Sequence, residues 1–231
     1  MSISEKLTAI SENVKKVYEA GQRAGGGGDS TFWDAFQDKG NRTDYRYAFA
    51  YAWTDSAFKP KHNITPAGDG SRLMFYNTNI TDIVGALAAG GVSLSTLNAT
   101  NLYQAFESAN ITSIPDLDLS ACTDMTLAFR YSKATSITIN NVQANCKFDR
   151  TFNSCPALVN LTITGTIGYS GFNVTDCKNL SKASLINILN CLSAEGAGKT
   201  ITLGSTNLAK LTDAEGVAAK NSATSKGWAL A

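Results

Sequence analysis

The chain has 231 residues, 43% hydrophobic and 17% charged, with a formal charge of +1, enough to bury a sizeable core. No block of like charges marks a nucleic-acid footprint, and no stretch approaches the roughly 20 apolar residues that span a bilayer. The first residues lack an apolar signal core with a small-residue cleavage site, so the expectation is folding in a cytosol.

Residues 1–24 are expected to form an N-terminal helix for attachment or oligomerisation. Ile3, Leu7, Ile10, Val14 and Val17 follow one another at steps of 4, 3, 4 and 3. That 3.5-residue seam is narrower than the apolar stripe of a surface helix and suits a coiled coil. It implies a homo-oligomer, with a trimer favoured; the alternative is a helix docked as a cap on its own chain. Residues 25–28 are a glycine linker.

Residues 29–71 are an aromatic-rich N-terminal cap. Ser30 can cap a short helix through Phe36, and Tyr45, Tyr47, Phe49, Tyr51 and Trp53 alternate at period 2, which predicts a strand with one aromatic face. Such a row can stack on sugar rings. Covering the open end of a core is the preferred reading, because five exposed aromatics invite aggregation. A loop follows from Pro60 to Gly70.

Residues 72–204 carry a repeat. Phe106, Phe129 and Phe152 lie 23 residues apart, and each is followed by a short apolar ladder. Ile114-Pro-Asp-Leu117-Asp-Leu119-Ser-Ala-Cys122 has the strand signature of a leucine-rich repeat, echoed around Ile137 and Ile139, Leu161 and Ile163, and Phe172 and Val174. Earlier, Phe75, Ile80 and Ile83 reproduce the spacing of Phe106, Ile111 and Ile114; Val92 and Leu94 take the strand positions, with 84–91 as an insertion. Alternation in each strand turns two apolar side chains inward and the one between them to water. Those outward residues, Asp118, Thr138, Thr162 and Asn173, with Thr202 in a further strand, are the candidate ligand-binding positions. The array is irregular: Leu117, Ile137, Leu161 and Phe172 are separated by 20, 24 and 11 residues.

Ser181 or Ser184 can cap a helix containing Leu185, Ile188, Leu189 and Leu192. Residues 205–231 are a C-terminal cap. Thr212 and Glu215 form a capping box, Gly216 weakens the helix that follows, Gly227 ends it, and Trp228 to Leu230 make an edge strand.

Catalytic chemistry is hard to assemble. The single histidine, His62, sits in a loop, so neither a Ser-His-Asp set nor a histidine metal site can be built. Gly196-Ala-Gly198-Lys199-Thr200 resembles the tail of a phosphate-binding loop but has Ser193 where glycine is required, and helix before strand. Asp116, Asp118 and Asp124 lack calcium-loop spacing. The Asn-x-Thr sequons at Asn63, Asn79, Asn98, Asn110, Asn160 and Asn173, with no signal peptide expected, read as turn chemistry. Cys122, Cys146, Cys155, Cys177 and Cys191 contain no C-x-x-C pair and read as reduced structural thiols. No enzyme, no metal and no cofactor is expected.

The ladder from Phe106 to Cys122 and the Phe152 to Cys155 turn resemble the BspA-like leucine-rich-repeat surface proteins of bacteria. Lys16 to Gly21, Phe32 to Tyr45, and Thr200 to Glu215 with Lys226 to Ala231 resemble small proteins encoded in phages and prophages of gut Firmicutes. The fold expected is α/β: an irregular leucine-rich-repeat solenoid, with short parallel strands on one face, turns and helices on the other, and an N-terminal helix. The role the resemblance implies is a non-enzymatic virion component, either a tail-associated receptor-binding or adhesion protein or a capsid decoration protein. Its partners would be other virion proteins and bacterial surface carbohydrate or protein. The other role considered is a cytosolic or prophage-encoded protein–protein interaction scaffold outside the particle.

Overall fold

The computed structural model describes residues 43–50 and 58–231. The predicted N-terminal helix, with Ile3, Leu7, Ile10, Val14 and Val17, lies outside them, as do the glycine linker, the helix through Phe36, and Tyr51 and Trp53.

The elements are β1 (Ala67–Gly68), α1 (Ile83–Gly90), β2 (Asn98–Ala99), β3 (Leu117–Asp118), β4 (Ser136–Val142), β5 (Asn160–Gly165), α2 (Lys182–Asn190), β6 (Thr200–Ile201), α3 (Ser205–Leu208), α4 (Ala214–Ser225) and β7 (Ala229–Leu230). All strand pairs are parallel: β1 with β2, β3 with β4 and then β5, and β6 with β7. The architecture is mixed α/β, and no sheet closes into a barrel among the described residues. Residues about one repeat apart are neighbours: Leu117 faces Ile139, and Ile139 faces Ile163. The same offset recurs in isolated bridges, such as Ser113 with Ser136 and Asp124 with Lys147. Each circuit of the chain, here called a pass, thus hydrogen-bonds to the next. Ile137, Ile139, Leu161 and Ile163 are buried on the inner side, as their alternation predicts.

Opposite the strands, each pass carries a phenylalanine arm. Phe49, Phe75, Phe106, Phe129 and Phe152 are all buried and stack in order, with centroids 4.9, 5.4, 5.2 and 5.8 Å apart. The last three steps are within 9° of parallel. The backbone of each arm is a run of tight turns. In the Ser71–Met74 turn, Arg72 is extended and Leu73 has φ 55°, the type II pattern that normally calls for glycine. Residues two before and two after the ring repeat this left-handed geometry with non-glycine residues: Leu73 and Asn77, Gln104 and Ser108, Leu127 and Tyr131, Arg150 and Ser154. The neighbouring pass holds them there, since the Leu127, Phe129 and Tyr131 N–H groups donate to Asp149, Thr151 and Asn153 carbonyls at 2.9, 3.0 and 3.1 Å.

Between two arms lies one buried charge pair. Glu107 is buried, and its Oε1 accepts from Arg130 Nε at 2.7 Å as well as from Arg130 Nη2. Arg130 in turn covers the Tyr131 ring, 5.2 Å from its centroid.

Both edges of the three-stranded sheet are met by other groups. On one side, Thr96 Oγ1 accepts from Asp118 N–H and donates to Asp118 C=O, both at 2.8 Å. A single hydroxyl thus takes the place of a neighbouring strand. On the other side α2 packs against β5: Leu161 N–H donates to Ser184 Oγ at 2.9 Å, and Ile163 N–H donates to Asn187 Oδ1 at 2.7 Å. Asn187 Nδ2 returns a bond to Ile163 C=O at 3.0 Å. Two helix residues three apart are on one face of α2, so they can meet two alternate residues of the strand.

Two local expectations are corrected, and a third is filled in. The aromatic alternation at 45–50 is not a strand: Ala48 N–H bonds to Tyr45 C=O, Ala50 N–H to Tyr47 C=O, and Tyr47 has φ 57°, the arm geometry again. The cap of α4 is Asp213, whose Oδ1 accepts from Gly216 N–H at 2.9 Å, and not Thr212. Glu215 reaches Lys182 at 2.9 Å instead of closing a capping box. The 84–91 insertion folds as α1, capped by Asp82 through Gly85 N–H at 2.7 Å. Other expectations hold: Ser181 caps α2, Gly227 (φ 90°) follows α4, and β7 closes the chain.

Candidate binding face

The outward side of β3, β4 and β5 follows from the same alternation that buries their leucines and isoleucines. Asp118, Thr138 and Thr162 lie on it, Thr138 and Thr162 as register partners. Asp118 is paired with Asn140, one step further along β4. Ser136, Asn160 and Thr164 extend the face, so hydroxyls and amides stand in rows at the roughly 4.8 Å strand spacing.

A bulge in β4 organises one end of it. The register slips between Ile139 and Val142, and Asn141 takes φ 58°. Asn141 Nδ2 donates to Asp118 Oδ2 at 3.1 Å, its N–H donates to Thr164 Oγ1 at 3.0 Å, and Thr164 Oγ1 reaches Asn140 Oδ1 at 3.3 Å. The cluster therefore crosses all three strands. Asp118 Oδ1 also accepts from Ser120 N–H at 2.8 Å. That backbone bond, with the Asn141 amide, holds the Asp118 carboxyl below the usual carboxylate range.

Asn173 and Thr202 are elsewhere. They bridge each other, but on the phenylalanine side: Phe172 packs 5.5 Å from Phe152, and Val174 N–H donates to Thr202 C=O at 2.9 Å. This explains the 11-residue gap between Leu161 and Phe172, because Phe172 occupies an arm and not a strand. Asn173 Oδ1 is already used by Thr175 N–H at 2.9 Å. Asn140, Asn141 and Thr164 were not singled out from sequence; the doubled Asn at 140–141, where the ladder spacing lengthens, is the signal for the bulge.

The face offers hydrogen-bond donors and acceptors and one carboxylate. Among the described residues no group of three or more His, Cys, Asp or Glu could hold a metal ion, and no helix is long and apolar enough to cross a membrane. No protein-family model, curated protein or solved structure matches this chain.

Proposed function

We propose that the chain is an irregular leucine-rich-repeat solenoid acting as a non-enzymatic binding module of a phage particle, as a tail-associated receptor-binding protein or a capsid decoration protein. The observation that carries the reading is the outward face of β3, β4 and β5. It is a broad, flat set of short polar side chains on a scaffold whose edges are sealed, suited to many parallel hydrogen bonds with a bacterial surface carbohydrate or protein. Short Thr and Asn side chains lose little rotamer entropy on binding, which favours a surface read by contact area. The Ile3, Leu7, Ile10, Val14 and Val17 seam would make the module multivalent, raising avidity without new contacts.

Two measurements test this. Peptide mass spectrometry of particles purified from an induced lysogen should find the chain at stoichiometric levels. Its absence from particles, together with a stable host partner, would favour the scaffold role. If the chain is in the particle, Thr138→Arg with Thr162→Trp should slow adsorption at least tenfold while leaving particle yield unchanged. Unaltered adsorption and unaltered binding to host cells by the purified chain would remove this face from consideration.

A further inference from the structure

Four of the five cysteines form two stacked couples, one across each of two gaps between passes. Cys122 lies across one gap from Cys146 and Cys155 across the next from Cys177, near enough for the thiols of each couple to perturb one another, and all four are buried. The backbone fixes both couples. Asp124 bridges Lys147, and Lys147 N–H donates to Thr123 C=O at 3.0 Å, bringing the chain beside Cys122 against the chain beside Cys146. Next to the second couple, Ser154 N–H donates to Asp176 Oδ2 at 3.1 Å. The Cys155 and Cys177 thiols donate to the Phe129 and Phe152 carbonyls at 2.9 and 3.2 Å, so both point into the same seam beneath the rings. The Asp124–Lys147 bridge staggers Cys122 from Cys146 by one residue, and on passes about 4.8 Å apart that stagger still keeps the Cα atoms inside the roughly 4.4–6.8 Å range that a disulfide tolerates. Cys191 is different: half-buried, it faces Ile163 C=O at 3.2 Å.

We propose that Cys122 with Cys146, and Cys155 with Cys177, are paired sites of reversible oxidation, each converted by a small peroxide into a disulfide that staples one pass to the next. A sulfur of the couple attacks a peroxide oxygen, the O–O bond breaks, and a sulfenic acid forms with release of hydroxide. The partner sulfur then attacks the sulfenic sulfur, the S–S bond forms, the S–O bond breaks, and the second oxygen leaves as water. Two thiols and one hydrogen peroxide become one disulfide and two waters, with both electrons passing to the peroxide. Each neighbouring thiol, and then burial, push the Cys146 and Cys177 pKa up. Cys122 is shifted the other way, down, by its Cys146 neighbour. A reducing cytosol returns any disulfide to thiols, so the linked state accumulates once the reductant is gone. The inference is independent of what the strand face binds.

The test uses the full chain. It is treated with hydrogen peroxide, quenched by alkylation in denaturant, and digested with trypsin and chymotrypsin without reduction, since trypsin alone leaves Cys155 and Cys177 in one peptide. The expected peptides are linked Cys122–Cys146 and Cys155–Cys177, with Cys191 unlinked. Tm should rise by about 5–10 °C and return on adding dithiothreitol. In Cys146→Ala, the first linkage should vanish, Cys122 should be trapped by dimedone as a sulfenic acid, and the Cys155–Cys177 link should persist. Linkages between other cysteines or between chains, over-oxidation without linkage, or recovery of all five as alkylated thiols would each overturn the proposal.

Discussion

Thr96 shows how much one hydroxyl can carry in this fold. It meets both backbone groups of Asp118, so Thr96→Val, which preserves shape, leaves a donor and an acceptor unpaired inside the protein. The expected loss is about 2–4 kcal/mol by urea denaturation, with Thr96→Ser recovering most of it. The left-handed residues of the arms make a second case. Ser108 has φ 55°, held by its N–H bond to Arg130 C=O. Ser108→Gly is expected to change stability by less than about 0.5 kcal/mol, whereas Ser108→Val should cost about 1–2 kcal/mol, because a β-branched residue resists this conformation. Asp118 adds a pH dependence. Its folded pKa is depressed, so its contribution is present above about pH 4 and is lost as pH falls through the lower folded value. Asp118→Asn should lower the neutral plateau of a Tm-versus-pH curve modestly and flatten its acid limb, since the contribution lost on acidification is then absent at every pH.

At the scale of elements, α2 stands in for a strand. Asn187→Leu removes the partner of Ile163 N–H, while Ile163 C=O keeps the Cys191 thiol. A loss of about 1–3 kcal/mol is expected, with faster amide exchange confined to β5 and α2. In α4, propensity and packing disagree. Alanine is the better helix former, yet a Cβ at Gly216 would stand 2.6 Å from Leu211 Cα. Gly216→Ala should therefore destabilise, by about 1–3 kcal/mol; a stabilised variant would mean that α4 can shift away from Leu211. The strands around Leu117, Ile137 and Leu161 were legible in the sequence because period-2 burial leaves its mark directly on residue type. The arms were not: nothing in Leu73, Leu127 or Tyr131 announces a left-handed backbone, which comes from bonds to a pass 22 to 30 residues away. The same blindness set Phe172 and Asn173 in the strand series, since an apolar-polar-apolar triplet looks alike in a strand and in an arm. Of the candidate face, Asp118, Thr138 and Thr162 were readable from alternation, while the Asn141 bulge, a break in alternation, was not.

Along the described strands and arms each pass hydrogen-bonds to the next, so a defect in one pass is felt by those beside it. Phe129 lies between Phe106 and Phe152 in near-parallel stacking, and Phe129→Ala should cost about 3–5 kcal/mol. Amide exchange should then quicken on both sides of the lost ring rather than at one end; uniform exchange across the chain would mean that the passes unfold as a single unit. Length is the other property settled at this scale. The three-stranded sheet does not stop because the repeat runs out, since β3 and β5 both have backbone groups that could take another strand. Thr96 and α2 occupy those positions, so the sheet ends at three strands while the phenylalanine arms run on through Phe75 to Phe49. The terminators are separate from the unit they terminate, so a 23-residue duplication between Phe106 and Phe129 would insert a further rung without disturbing either end. Gene duplication could lengthen such a protein in whole steps, widening its reach while its ends stay the same.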